Sequence, residues 1–302
     1  MYDIVIIGAG PAGLTAAIYA KRAGKKVLVL EAKTYGGQIV NTLNIENYPA
    51  EEHISGYDFA KKLYTQAKNL GAEIVFEKVL RIENCEKTKK IYASENEYEA
   101  KAIIVATGSE NRKLGVAGED ELIGKGISYC ATCDGAFYKG KTVAVVGGGN
   151  TALEDALYLA DIANKVYLIH RRNEFRGAEA TVARLNAKRN VTFVLKSHVT
   201  KLDAEGKLKS IEVTADGGKA QTLEIDGLFV AIGREPATRV VAGLLELDDA
   251  GYVKASENCH TNVAGIFVAG DNRAKEVRQL VTATSDGAVA AMEAVKFVEN
   301  LK

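Results

Sequence analysis

The stretch IVIIGAGPAG, residues 4–13, decides the fold of the amino-terminal part of this chain. Four consecutive β-branched residues favour a buried strand, and the glycine spacing that follows favours a tight turn into a helix. Such a helix directs its free N–H groups at a pyrophosphate. The stretch therefore predicts a βα dinucleotide-binding unit, with contacts from Gly8, Gly10, Pro11, Ala12 and Gly13.

The same order of strand, glycine turn and helix returns in VAVVGGGNTA, residues 143–152. A single glycine fingerprint is weak evidence, because its glycines could serve only a tight left-handed turn. Two fingerprints with matching surroundings imply two dinucleotide folds. The residues expected to contact the second nucleotide are Gly147, Gly149, Asn150 and Thr151.

The residues that end the next strand differ between the two units. After the first loop, the strand Lys26–Leu30 ends at Glu31, whose carboxylate can accept hydrogen bonds from a ribose diol. After the second loop, the strand Lys165–Ile169 is followed by a basic group, and arginine matches phosphate oxygens in a bidentate fashion. The first loop should therefore take FAD and the second NADPH, unless the arginines only form a solvated face. The basic group comprises His170, Arg171, Arg172 and Arg176.

Further candidate contacts for the flavin lie outside the first loop. Polar groups for the edge of the ring are offered by Gly36, Gly37, Gln38 and Asn47. A late strand ends in Gly270 and Asp271, where the acid either meets a hydroxyl of the cofactor or is a simple turn residue. Arg278, Gln279 and Leu280 then open a long alanine-rich helix, whose positive end could stabilise negative charge on a reduced flavin.

The segment CATCD, residues 130–134, lies between the two loops. Two thiols separated by two residues close a small ring, so their disulfide is readily reduced and re-formed. A zinc site would need a second ligand pair, and neither Cys85 nor Cys259 has matching spacing. Asp134 directly follows Cys133 and is placed to protonate a thiolate, although an Asp-Gly turn would also explain it.

Composition sets the limits of the function. The 302 residues include 39 basic and 39 acidic side chains, so the net charge gives no support for nucleic acid or an anionic membrane as partner. The chain lacks a run of about 18 apolar residues and a basic leader, which predicts no membrane span and no signal peptide. Four cysteines with one close pair fit a reducing compartment, and the cytoplasm is expected.

With these motifs, and with Ala106-Thr107-Gly108 and Phe175, the chain resembles the bacterial-type low-molecular-weight thioredoxin reductases over essentially its whole length. The resemblance implies an α/β fold with two Rossmann-like domains, the NADPH domain inserted into a discontinuous FAD domain. It places the FAD domain at residues 1–111 and 243–302 and the NADPH domain at residues 112–242. It also implies a homodimer, thioredoxin as partner, Cys133 as the thiol that faces the flavin, and Cys130 as the thiol that attacks the substrate disulfide. Small departures such as Asn272 and Ala136 remove no group that the chemistry needs.

The cysteine pair closely precedes the second loop, so it belongs with the NADPH domain. Nicotinamide and disulfide cannot occupy the same flavin face at once, and we expect the two domains to rotate between half-reactions. Phe137 and Tyr138 could form an apolar docking surface or pack in the core. The acceptor could instead be a glutaredoxin-like or peroxiredoxin-linked protein, or the chain a dithiol oxidase. A flavin-linked redox sensor without fast turnover is the non-enzymatic alternative.

Overall fold

The structure, a computed structural model, describes residues 1–42 and 44–301. It consists of two compact units. The split unit comprises Met1–Glu110 and Glu235–Lys302, and the inserted unit comprises Asn111–Arg234. The chain passes from one unit to the other twice, and the two crossing segments run side by side. Ala237 N donates to Gly108 O within the split unit, and Arg112 N donates to Gly233 O within the inserted unit, each at 3.0 Å.

The regular elements follow in chain order. The strands are β1 (Tyr2–Ile7), β2 (Val27–Leu30), β3 (Glu73–Val75), β4 (Val79–Asn84), β5 (Lys89–Ala93), β6 (Glu97–Val105), β7 (Ser109–Asn111), β8 (Ile127–Ser128), β9 (Thr142–Val146), β10 (Lys165–Ile169), β11 (Val191–Val194), β12 (Ser197–Glu205), β13 (Lys207–Ala215), β14 (Ala220–Glu224), β15 (Gly227–Val230), β16 (Arg234–Pro236) and β17 (Ile266–Val268). The helices are α1 (Pro11–Arg22), α2 (Gly56–Asn69), α3 (Ala131–Asp134), α4 (Asn150–Ile162), α5 (Glu179–Asn186) and α6 (Leu280–Asn300). Short 3-10 turns cover Gly37–Asn41, Asp120–Leu122, Gly135–Tyr138 and Arg239–Val241.

The sheet of the split unit is parallel at its centre. Strands β3, β2, β1, β6 and β17 run parallel in that order, and the β4–β5 hairpin joins the amino-terminal part of β6 antiparallel. Alternate residues of β1 enter two different cores, since Ile4 and Ile6 pack under α1 and α6, whereas Val5 and Ile7 pack on the opposite face. Burial on both faces explains why these strands are continuously apolar.

The inserted unit repeats the arrangement on a smaller scale. Its parallel sheet has the order β11-β10-β9-β15-β8, with α4 and α5 over one face. The antiparallel strands β12, β13 and β14 cover the other face, where Ile211 and Val213 pack against Val146. Each unit therefore has a strand, glycine turn and helix at its centre, and the predicted α/β class with two Rossmann-like units is confirmed.

The second crossing lies earlier in the chain than the expected domain boundary at residue 242. Residues 235–242 cluster with the split unit, because Val241 and Leu245 are buried in the same core as Val5 and Ile7. The turn Arg239–Val241 is thus part of that core and not a linker.

Candidate functional site

The first glycine loop is shaped by close backbone approaches. Gly8 has φ +108°, and a Cβ there would lie 2.3 Å from the carbonyl oxygen of Ala106. A Cβ on Gly13 would lie 1.9 Å from the carbonyl oxygen of Gly8. A Cβ on Gly10, by contrast, would meet nothing within 4 Å, and Gly10 is the N-cap of α1, with no side chain capping the helix. Free N–H groups at the start of α1 therefore face open space of the kind a pyrophosphate needs.

Glu31 directly follows β2 beside this loop, at the strand end where the sequence places it. Its Oε2 accepts a hydrogen bond from Ala9 N at 2.7 Å, and its Oε1 accepts one from Lys33 N at 2.9 Å. These two bonds fix the carboxylate in place. Because a carboxylate oxygen can accept more than one hydrogen bond, Glu31 can still bind a ribose diol.

Several of the other predicted flavin contacts converge on the same loop within the split unit. Gly36 N donates to Ala9 O at 2.7 Å, and a Cβ on Gly37 would lie 3.5 Å from Gly10 Cα. Gly270, after β17, approaches Ala12 closely enough that a Cβ would lie 2.9 Å from that side chain. Gln38 is exposed at the start of the 3-10 turn that follows Gly36.

The start of α6 is the remaining part of this first site. Asn47 Nδ2 donates to Gln279 Oε1 at 3.4 Å, and Gln279 caps the helix that begins at Leu280. The Nε atom of Arg278 is buried without a hydrogen-bond partner among residues 1–42 and 44–301. Its guanidinium lies 4.0 Å from the centre of the Tyr252 ring. A buried donor of this kind fits a site whose missing acceptor belongs to a cofactor.

An ion cluster beside Asp271 was missed by sequence reasoning. Asp286, on α6, accepts hydrogen bonds from Gly270 N at 3.0 Å, from Arg273 Nη2 at 2.9 Å and from Lys275 Nζ at 2.9 Å. All three charged side chains are at most 9% exposed, and Lys275 Nζ also lies 3.9 Å from Asp271 Oδ1. The cluster holds the Gly270–Asp271 turn against α6. The feature of the sequence that could have indicated this cluster is Asp286, a charged residue in the otherwise apolar stretch of this helix.

The second glycine loop has the same geometry. A Cβ on Gly147 would lie 2.3 Å from the carbonyl oxygen of Ala231, whereas a Cβ on Gly149 would meet nothing within 4 Å. Gly149 is the N-cap of α4, which begins with Asn150 and Thr151. Asn150 Oδ1 accepts a hydrogen bond from Ala178 N at 2.8 Å, which ties the segment before α5 to the loop.

The predicted basic group lies around this second loop. The His170 ring covers Gly148, where a Cβ would lie 2.1 Å from its Cε1, and its Nε2 lies 3.1 Å from Glu174 O. Burial lowers the pKa of His170 and the neighbouring arginines lower it further. Arg176 N donates to Gly148 O at 2.7 Å. The side chains of Arg171, Arg172 and Arg176 are exposed and available to an anion.

Cys130 and Cys133 form a disulfide in the inserted unit, with a Cα–Cα distance of 5.3 Å. Cys130 is the N-cap of α3, and Asp134 N donates to Cys130 O at 3.1 Å. The two sulfurs are bonded to one another, which is the oxidised form of a redox pair. The remaining thiols are Cys85, half-buried, and Cys259, fully buried.

Asp134 is half-buried beside the disulfide. Burial raises the pKa of its carboxyl group, and a hydrogen bond from Ser128 lowers it in part. Ser128 Oγ lies 2.6 Å from Asp134 Oδ2 and also accepts a hydrogen bond from Cys130 N at 3.1 Å. Sequence reasoning missed Ser128, which has no motif of its own.

The two aromatic residues after the dithiol have different surroundings. Tyr138 packs edge-on against Phe229 in the core of the inserted unit, with ring centres 5.2 Å apart. Phe137 is 40% exposed. Of the predicted docking pair, Tyr138 is thus a core residue and Phe137 a surface residue.

Two glycine loops, each with open space at the start of the helix that follows, and a disulfide in the unit that carries the second loop define a pyridine nucleotide-linked disulfide oxidoreductase. The chain belongs to the pyridine nucleotide-disulphide oxidoreductase family, whose model matches residues 2–287. The predicted cofactors, FAD and NADPH, are confirmed by this membership and by its full-length relatives.

The full-length relatives show which members of this family the chain resembles. The chain is 44% identical to a thioredoxin reductase of Listeria monocytogenes, over 100% of this chain and 95% of the relative. It is 41% identical to a thioredoxin reductase of Bacillus subtilis, over 100% of this chain and 96% of the relative. The crystal structure of thioredoxin reductase from Streptococcus pyogenes superposes with a TM-score of 0.95 at 38% identity, covering 99% of this chain and 98% of that one. The predicted resemblance to thioredoxin reductases is confirmed. Among residues 1–42 and 44–301, no helix is long and apolar enough to cross a membrane.

Proposed function

We propose that this chain is a thioredoxin-disulfide reductase that passes electrons from NADPH through FAD to Cys130–Cys133 and then to oxidised thioredoxin. The observation that carries the proposal is the Cys130–Cys133 disulfide in a unit whose glycine loop is surrounded by His170 and arginines. The full-length relatives with the same name support thioredoxin as the acceptor.

In the split unit, the residues that would hold FAD lie on three elements. The N–H groups at the start of α1 would bind the pyrophosphate, Glu31 would bind the ribose, and Asp271 would bind a hydroxyl of the cofactor. The positive end of α6, where Asn47 donates to Gln279, would stabilise negative charge on the reduced ring. Bound FAD would supply the two-electron chemistry that links the nicotinamide to a disulfide.

In the inserted unit, the residues that would hold NADPH lie at the carboxyl edge of the sheet. The start of α4 binds the pyrophosphate of NADPH, while Arg171, Arg172 and Arg176 neutralise the 2′-phosphate. A guanidinium matches phosphate oxygens and has no corresponding partner on NADH, so these arginines give the preference for NADPH.

The dithiol then carries the electrons to the second protein. Cys133 would be the thiol that reacts with bound FAD, Asp134 would protonate the thiolate that is released, and Cys130 would attack the disulfide of thioredoxin. A disulfide enclosed against a flavin cannot reach a protein substrate. The two units therefore alternate between one arrangement for nicotinamide and another for the dithiol.

The exposed ring of Phe137 lies four residues after Cys133 and contributes an apolar contact for thioredoxin. We further propose that the protein is a homodimer and acts in the cytoplasm. The small number of cysteines and the single redox pair support a reducing compartment.

The test is an anaerobic titration of the yellow protein with NADPH and with NADH, followed by oxidised thioredoxin, while flavin absorbance is recorded. We expect bleaching at far lower NADPH than NADH concentration, rapid recovery with thioredoxin, and loss of recovery in Cys133→Ser. Recovery with glutaredoxin-like or peroxiredoxin-linked proteins alone would replace thioredoxin as acceptor, and recovery with O₂ and a small dithiol would indicate an oxidase.

A substitution and its matched control test the contact between Arg176 and the 2′-phosphate of NADPH. Arg176→Ala should raise the KM for NADPH about 10-fold or more and leave that for NADH unchanged. Arg189→Ala is the matched control, because Arg189 is exposed and precedes β11 at the opposite edge of the same sheet. Equal effects of the two substitutions would contradict the assignment.

A further inference from the structure

Ser128 lies between the acid and the dithiol in the inserted unit. It is the last residue of β8, pairs with Phe229 of β15 and is only 4% exposed. Its Oγ lies 2.6 Å from Asp134 Oδ2, 3.1 Å from Cys130 N and 3.3 Å from Cys130 O. One buried hydroxyl thus contacts both ends of the CATCD segment.

The chemistry of a hydroxyl fixes the direction of these bonds. A serine has one hydrogen to donate and can accept through its lone pairs. Cys130 N is a donor only, so Ser128 Oγ accepts there, and its own hydrogen is directed to the carboxylate at the shorter distance. While this hydrogen is directed to Oδ2 of the Asp134 carboxylate, the oxygen left to take up a proton is Oδ1.

We propose that Ser128 is the positioning residue that orients the acid proton of Asp134 and sets the pH range in which the dithiol is formed. The proposal rests on the proposed function, since this proton is needed only if Cys130–Cys133 is reduced. In that step the S–S bond would break on taking up two electrons, which FAD would supply when bound and reduced. The two sulfurs take up two protons: one comes from the Asp134 carboxyl group, which is left as a carboxylate, and the other would come with the electrons from the reduced cofactor.

The surroundings of Asp134 make Ser128 its main polar partner. Two causes shift the pKa of Asp134, burial upward and the Ser128 hydrogen bond downward. Tyr138, from the turn that follows, has its own pKa raised by burial, by Asp134 and by Asp226, which precedes β15. On α4, Tyr158 faces the neighbouring Gly135. None of these side chains is basic, so none replaces the hydrogen bond that Ser128 donates to the carboxylate.

The direction of the effect follows from which form Ser128 stabilises. A donor to the carboxylate favours the ionised form, and its removal raises the pKa of Asp134. A hydrogen bond to a charged group corresponds to a shift of about one pH unit. Ser128→Ala should therefore keep Asp134 protonated to higher pH, and Ser128→Thr, which retains the hydroxyl, should restore the wild-type value.

The experiment titrates Asp134 in the full-length, FAD-loaded protein by ¹³C NMR of labelled aspartate carboxyls, with Asp134→Asn to assign the signal. The midpoint should rise by about one unit in Ser128→Ala and stay near wild type in Ser128→Thr. The pH at which the rate of dithiol formation changes, measured by rapid mixing, should shift together with the midpoint of Asp134. Ser197→Ala is the matched control, because Ser197 is buried in the same unit and its hydroxyl donates to a backbone carbonyl, Leu195 O.

An unchanged or lowered midpoint in Ser128→Ala would overturn the proposal, even if the enzyme reduces thioredoxin normally. If Ser128→Ala does not fold, the wild-type protein still decides the question. The short Ser128–Asp134 bond should give a downfield hydroxyl proton resonance that disappears in Asp134→Asn, and its absence would count against the proposal. Failure of the proposed function has a different signature, because flavin recovery would then not depend on Cys133.

Discussion

Single residues in this protein show how burial separates reactive from inert groups of the same type. Of the thiols outside the disulfide, Cys85 is half-buried at the end of the β4 strand, whereas Cys259 lies in the main core of the split unit. Burial, reinforced by the nearby Asp286, raises the pKa of Cys259 to about 12. The thiolate is the reactive form of cysteine, so both the burial and the raised pKa make Cys259 unreactive.

We expect iodoacetamide at pH 8.5 to alkylate Cys85 and to leave Cys259 unmodified in the native protein, as measured by mass spectrometry of tryptic peptides. Without reductant, Cys130 and Cys133 should also stay unmodified because they form a disulfide. Denaturation in urea provides the control, since both free thiols should then react. Equal labelling of Cys85 and Cys259 in the native state would contradict the buried position.

A half-buried carboxyl group on α4 predicts how stability depends on pH. Burial and the adjacent Glu154 raise the pKa of Asp155 from 3.8 to about 7, against an opposing effect of Arg234. The folded state holds this proton more tightly than the unfolded chain does. The stabilisation is therefore complete below about pH 4 and is lost as the pH rises through 7.

Asp155→Asn removes this ionisation. At pH 8 the variant should be more stable than wild type by about 1–2 kcal/mol, whereas at pH 5 the difference should shrink. Urea denaturation at the two pH values measures it. Asp161→Asn serves as control, because Asp161 is exposed on the same helix and pairs with Lys188. A variant that is destabilised equally at both pH values would show that Asp155 is ionised throughout.

At the scale of elements, each glycine loop combines positions that the fold needs with one position that only the proposed nucleotide contact would need. A Cβ on Gly8 or Gly13 collides with backbone oxygens. Gly10 and Gly149 have ordinary negative φ values and open space around them. An alanine would fit these two positions in the free protein and obstruct only the nucleotide.

Gly10→Ala should therefore fold with a melting temperature close to that of the wild-type apoprotein and bind FAD at least 10-fold more weakly. Gly13→Ala should destabilise the apoprotein itself by about 2 kcal/mol or more, since a backbone oxygen must move. Thermal unfolding of apoprotein and fluorescence titration with FAD separate the two effects. If both variants lost stability equally, Gly10 would be a folding residue and not a ligand contact.

The same elements indicate what sequence reasoning can reach. The strands, the loops, Glu31 and the disulfide were predictable because their signals are local: apolar runs, glycine spacing and two cysteines three positions apart. Ser128 and the Arg273–Lys275–Asp286 cluster were not, because their roles arise from contacts between distant elements such as β17 and α6. The packing of Val241 in the same core as Val5 and Ile7 also depends on distant elements, and the expected boundary at residue 242 remains a prediction.

At the scale of the whole molecule, the inserted unit has the properties of an independent domain. It has its own sheet and two cores, and its ends are joined by the Arg112–Gly233 hydrogen bond. We expect a fragment of residues 111–234 to fold, to form the Cys130–Cys133 disulfide and to bind NADPH. Circular dichroism and calorimetry with NADPH test this, with Arg176→Ala in the fragment as control. A fragment that remains unfolded would show that the split unit is needed for its stability.

The side-by-side crossings also affect the order in which the two units can fold during synthesis. Because the ends of the inserted unit meet, its 124 intervening positions cost the split unit little more loop-closure entropy than a tight turn would. The inserted unit leaves the ribosome whole while β17, Gly270–Asp271 and α6 are still missing. The nascent chain can thus acquire a folded nicotinamide site first, and FAD capture awaits the translation of β17 and α6.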